Sequence, residues 1–112
     1  MQVVFVVLNK VEYLEDLLAR LKKAGISGGT ILESTGMVKY LDDSYESYLL
    51  GSLRLFLDNP SAENKTIFFV VQDEQVDILR KTVDEVLGGI NNANTGIIFG
   101  FPISFVDGLI EK

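Results

Sequence analysis

The first and last thirds of this 112-residue chain follow the same grammar, and that repetition limits the folds open to it more than any other feature. Each third opens on a β-branched apolar run, continues into an amphipathic helix and ends in a second strand introduced by glycine. Residues 2 to 8 (QVVFVVL) precede a stretch whose Leu14, Leu17, Leu18 and Leu21 share one helical face, and Gly28-Gly29 then lead into a strand over Thr30 to Ser34. In the last third, residues 66 to 71 (TIFFVV) precede a stripe of Val76, Leu79, Val83, Val86 and Leu87. Gly88-Gly89 stop that helix, and a strand follows over Ile97 to Phe101.

Each third is therefore one βαβ unit. Two right-handed split βαβ units side by side predict a single α+β domain over residues 1–112, a ferredoxin-like βαββαβ sandwich of four antiparallel strands backed by two helices. This architecture hosts many unrelated activities, so function has to be argued from particular residues.

The symmetry is broken by residues 37–65, where such a fold needs only a short hairpin. A connection of that length is either functional or partly folded. Asp43 or Ser44 can cap a helix showing Tyr45, Tyr48, Leu49, Leu53 and Phe56 at helical spacing, and Asn59-Pro60 ends it. Leu50, Leu55 and Leu57 fall off that stripe, so the helix expected over residues 44–57 is apolar on more than one side. Either it is covered from two directions, by its own domain and by a partner, or it is an extra core helix with three leucines half exposed.

Composition narrows the chemistry. The chain has no cysteine and no histidine, which excludes disulfides, thiolate or Ser-His nucleophiles, and metal sites built on either residue. A net charge of −6 opposes a phosphate backbone, so no nucleic-acid partner is expected. Arg20, Lys22 and Lys23 are the only dense basic group, placed where they match a helix dipole. Asp42, Asp43 and Glu46 lack calcium-loop spacing. The longest apolar run, Val3 to Leu8, is far short of the roughly 20 residues a membrane span needs. Met1-Gln2 leads straight into a strand with no basic leader, so a cytoplasmic location without membrane insertion is expected. An apolar fraction of 47% is high for a small monomer and calls for burial against other subunits.

The stretch AGISGGTILESTG, residues 24 to 36, resembles the P-II-like nitrogen-regulatory signalling proteins. In that family helix one ends in Gly-Ile, Gly-x-Thr opens strand two, and a glycine starts a long loop, the T-loop. IFFVVQDEQVD, residues 67 to 77, is similar to the family's strand three running into helix two, and TGIIFGFPI, residues 95 to 103, to its B-loop glycine and final strand. The likeness covers about three quarters of the chain.

The resemblance implies a homotrimer whose sheets line a central cavity, with adenine nucleotides bound between subunits. It also implies a regulated partner, a membrane transporter or a metabolic enzyme, reached through residues 37–65. Carried over by position, Thr30 and Val70 line the adenine pocket, Gly36 begins the T-loop, Lys39 takes the place of a phosphate-binding arginine, and Gly96 is the last B-loop glycine. The departures fall on the phosphate side. Ile97 stands where a lysine is usual, and Gly108 and Ile110 where arginines are. Charge-assisted bonds of roughly 1.5–3 kcal/mol each are thereby missing, leaving Lys39 and Lys65. No cofactor is assigned, and the effector is either an adenine nucleotide, mono- or cyclic forms included, or a small anion. Turn geometry alone also explains Gly36 and Gly96, and Lys39 and Lys65 also fit as solvated loop charges. The expectation is a binding protein and not an enzyme, with a protein interaction module lacking any small-molecule ligand as the alternative. Scattered carboxylates, lysines and tyrosines with no visible pairing make a catalytic reading the weakest.

Overall fold

A computed structural model describes residues 1–37, 40–41, 63–92 and 95–109. The helix expected over residues 44–57, most of the segment 37–65, and Lys39 and Ile110 lie outside them.

The described elements run β1 (Gln2–Leu8), α1 (Leu14–Lys23), β2 (Gly29–Thr35), β3 (Glu63–Val71), α2 (Val76–Leu87) and β4 (Gly96–Pro102). They form one α+β unit, a four-stranded antiparallel sheet in the order β2-β3-β1-β4 with two helices, compatible with a ferredoxin-like fold. β1 sits centrally, pairing Phe5 with Phe68 of β3 on one side and with Phe99 of β4 on the other.

Both helices lie on one face of the sheet because their apolar stripes match its alternation. Leu17 and Leu21 of α1 and Leu79, Val83, Val86 and Leu87 of α2 are buried against Val4, Val6 and Leu8 of β1 and Ile67, Phe69 and Val71 of β3. The leucine and valine spacing thus marks the buried faces, with Leu14 and Val76 packed at the margin, except that Leu18, expected on the α1 stripe, is only half-buried and lies outside the core cluster. Both helices stop on glycine, for the reason the sequence suggests. After α1, Gly25 takes φ +88°, which lets the Ile26 N–H reach the Leu21 carbonyl at 2.8 Å. After α2, Gly88 takes φ +69° and the Gly89 N–H reaches the Asp84 carbonyl at 2.9 Å.

Three features go beyond the sequence reading. A single 3-10 turn precedes each helix, Val11–Tyr13 and Asp73–Gln75, so the internal repeat extends to the way each helix is entered. β3 starts at Glu63, three residues before its apolar run, because Glu63, Asn64 and Lys65 pair with Thr35, Ser34 and Glu33 of β2. Finally, Met37, Tyr40 and Leu41 are helical, and the Tyr40 N–H donates to the Gly36 carbonyl at 2.8 Å. A helical turn therefore follows directly on Gly36, while the cap expected at Asp43 or Ser44 lies outside the described residues. No described helix is long and apolar enough to cross a membrane.

Candidate functional site: the outer face of the sheet

The strand registers sort the residues between two faces. Val4, Val6 and Leu8 point to the helices, so Val3, Phe5 and Val7 point away, and their partners follow: Thr66, Phe68 and Val70 on β3, Ile97, Phe99 and Phe101 on β4, Thr30, Leu32 and Ser34 on β2. No described helix covers this outer face, yet most of it is apolar.

Its centre is an aromatic cluster. The Phe5 ring stacks on Phe99 with centroids 5.3 Å apart, lies 6.0 Å from Phe101 and tilts against Phe68 at 5.7 Å. Around it opens a concavity of about 410 Å³, floored by Val3, Phe5, Phe68, Val70 and Phe101 and flanked by Leu32 and by Phe105 and Val106 beyond β4. Water reaches much of this surface: Phe101 is 49% exposed and Phe105 81%.

The opposite end of the outer face is polar. Ser34 bonds the Asn64 side chain and shares a 2.7 Å hydrogen bond with Thr66, while Asn64 Nδ2 donates to Asn9 Oδ1 at 3.2 Å. Asn64 is buried, and its amide ties β2 and β3 to the residue that leaves β1. Asn64→Ala should lower unfolding free energy by about 1 kcal/mol, because it removes the buried amide that bonds the half-buried Ser34 and Asn9 side chains. Urea denaturation measures this, and Thr66→Val, which removes a less buried hydroxyl, should cost less.

The structure splits the sequence-derived site in two. Thr30 and Val70 lie on the outer face at the apolar end: Thr30 pairs with Phe68, and Val70 lines the concavity. Gly36, Lys65 and Gly96 gather at the other end, where Leu8 pairs with both Lys65 and Gly96. Five residues of extended chain separate Lys65 from Val70, about 17 Å. Among the described residues of the single chain the two groups form no common pocket. Lys65 also points to the helix side of the sheet, where its ammonium pairs with the Glu33 carboxylate. Gly96 has a local reason to be glycine. At φ +152° a Cβ there would collide with the Val7 carbonyl. Ile97, where a cation is usual in the P-II-like pattern, is 57% exposed on the outer face. Gly108 takes φ +85° in the segment beyond β4.

Among the described residues, no group of three or more acidic side chains is placed to hold a metal ion. The sequence reading missed the polar cluster of Asn9, Ser34, Asn64 and Thr66 and the aromatic cluster around Phe5. The second left a trace: Phe99 and Phe101 recur at the strand period, and TIFFVV is apolar at both parities, which marks a strand with two apolar faces. The first left none, since its members are far apart in sequence, with Asn64 and Asn9 separated by 55 residues. No model of a known protein family matches the chain, and no curated protein matches it.

Proposed function

We propose that this chain is a P-II-like regulatory protein that assembles as a homotrimer, takes a small anionic or nucleotide effector in the clefts between subunits, and passes the signal to a partner protein through residues 37–65. The observation that carries the proposal is the bare apolar outer face of the sheet. Phe99, Phe101 and Phe105, each close to half exposed or more, lie around one concavity or its aromatic floor, a surface that a solitary subunit leaves in water. Assembly with these faces turned inward would cover them. It would also bring separate ends of neighbouring subunits together, as a site split between Thr30 and Val70 on one side and Gly36 and Gly96 on the other requires. The regulated partner, a transporter or a metabolic enzyme, rests on the family resemblance alone.

The pairing of Lys65 with Glu33 bears on the effector. With that ammonium engaged and Ile97 apolar, a ligand of low charge, a mono- or cyclic nucleotide or a small anion, suits the site better than a triphosphate. The same pairing favours a second reading, an interaction module with no small-molecule ligand.

Light scattering at micromolar concentration should give about three times the 12.4 kDa chain mass. A thermal-shift series with AMP, cyclic mononucleotides, ATP and small anions then separates the readings. A true effector at a hundredfold excess over its dissociation constant stabilises the folded state by about 2.7 kcal/mol. A monomer overturns the proposal. A trimer that no compound stabilises replaces it by the interaction module.

A further inference from the structure

We infer that Asp107 and Gly108 form a site of spontaneous isomerisation, where the aspartyl linkage converts to an isoaspartyl one and makes the chain a substrate for an isoaspartyl carboxyl methyltransferase. This reactivity is independent of the assembly proposed above. Among the ten glycines of the chain, Gly108 alone follows an Asp or an Asn. Its nitrogen is left uncrowded, because no Cβ stands beside it. The fold leaves the site open as well. Among the described residues, the Ile103 N–H, which donates to the Met1 carbonyl at 3.3 Å, is the last backbone donor that ties the segment beyond β4 to the sheet. Past that anchor Phe105, Asp107, Gly108 and Leu109 are all exposed. Among the described residues no hydrogen bond or ion pair engages the Asp107 carboxylate or the Gly108 N–H. Apart from chain neighbours, no atom lies within 4 Å of the place where a Gly108 side chain would begin. Gly108 also takes φ +85°, so the turn that calls for glycine is the one that makes the pair reactive.

The chemistry needs only water. The Gly108 nitrogen attacks Cγ of Asp107, and as the N–C bond forms a C–O bond breaks, the oxygen leaving as water with the amide proton and the carboxyl proton. The product is a cyclic imide. Water then adds to either imide carbonyl carbon. Opening at Cγ restores the aspartyl link, whereas opening at the α-carbonyl breaks its bond to the Gly108 nitrogen, runs the chain through Cβ and Cγ, and frees the α-carboxylate. The mass is unchanged. Other aspartates are held away from this path. Asp16 pairs with Arg20 at 3.4 Å, and Asp73 with the N-terminal ammonium at 3.2 Å. Asp84 lies inside α2, where the next N–H belongs to the helix ladder, and its carboxylate accepts from the Ile90 N–H at 2.7 Å. The conversion at Asp107 adds one methylene to the backbone just past Phe105 and Val106, which flank the apolar concavity. It therefore redirects the chain at the rim of that surface.

The test uses the full chain, incubated at physiological temperature and sampled over weeks. Isoaspartyl carboxyl methyltransferase with radiolabelled S-adenosylmethionine should transfer increasing label to the freed α-carboxylate, and peptide mapping should resolve the peptide carrying Asp107 into two forms of equal mass. Asp107→Glu keeps the charge but has to close a larger ring, so it should lose the label. Asp107→Asn should react faster than wild type, because ammonia leaves an amide more readily than water leaves a carboxylate, and its progress is read as released ammonia. Both variants lie at an exposed position, so circular dichroism should match wild type. A synthetic peptide of residues 103–112 gives the rate of the unhindered reaction, and the folded chain should isomerise at a comparable rate. No label in the wild type, label that persists in Asp107→Glu or maps to another residue, or a folded-chain rate far below that of the peptide overturns the inference.

Discussion

Replacing Phe69 by alanine is expected to remove about 3–5 kcal/mol of unfolding free energy, a large share of what a domain of this size possesses. The ring is 1% exposed and lies at the centre of the core between the sheet and the two helices. Its place is prepared by the opposite strand. Gly29 is its pairing partner in β2, and a Cβ on Gly29 would stand 2.6 Å from the ring. The aromatic side chain thus occupies the space that the glycine leaves empty, and truncation opens a cavity bordered by backbone that cannot collapse into it. Urea denaturation should show a lower midpoint with an unchanged slope. A loss below about 1 kcal/mol would show that the core repacks around the gap.

Gly96→Val is expected to be at least as damaging, by about 3 kcal/mol or more, through the backbone rather than through volume. The position combines φ +152° with a Cβ direction blocked by the Val7 carbonyl, so valine must either break the first pairing of β4 with β1 or distort β1 itself. Loss of β4 exposes Val4 and Val6 along one side. For that reason Gly96→Val cannot serve as a clean probe of an effector site, since its first effect is on the sheet. Gly36→Ala is the better probe. Its Cβ would meet only the Asn64 amide at 3.7 Å, an ordinary contact, and Gly36 lies at the same end of the sheet. Melting temperatures of the two variants without ligand check this: the first should fall steeply and the second stay close to wild type.

The elements were legible in the sequence because each has a period that matches its burial. The stripe of Leu79, Val83, Val86 and Leu87 can be buried only as a helix, and the β-branched runs at both ends of the chain form the strands they suggest. What escaped was set by neighbours distant in sequence. The start of β3 at Glu63 is imposed by β2, not by its own polar residues. Lys65 read as a free cation until Glu33, 32 residues away, turned out to hold it. Thr30 and Val70 share a face with the aromatic cluster for a reason of parity that only the strand registers supply. The apolar excess of the composition indicated that some surface needs covering, but not that it is the sheet face away from the helices.

The polar cluster of Ser34, Asn64, Thr66 and Asn9 sits where β2 and β3 part company, and this gives the hairpin a mechanical property. A clamp of partly buried hydrogen bonds at the mouth of a connection isolates the strands from whatever pulls on the chain beyond it, because fraying has to break the cluster before it reaches the Ile31 and Ile67 pair. Closure entropy grows only logarithmically with length, so doubling the connection between Gly36 and Glu63 adds about 0.6 kcal/mol. Splicing a reporter domain into that interval would leave the sheet register in place, and the junction would serve as a tether point for force measurements on the segment alone.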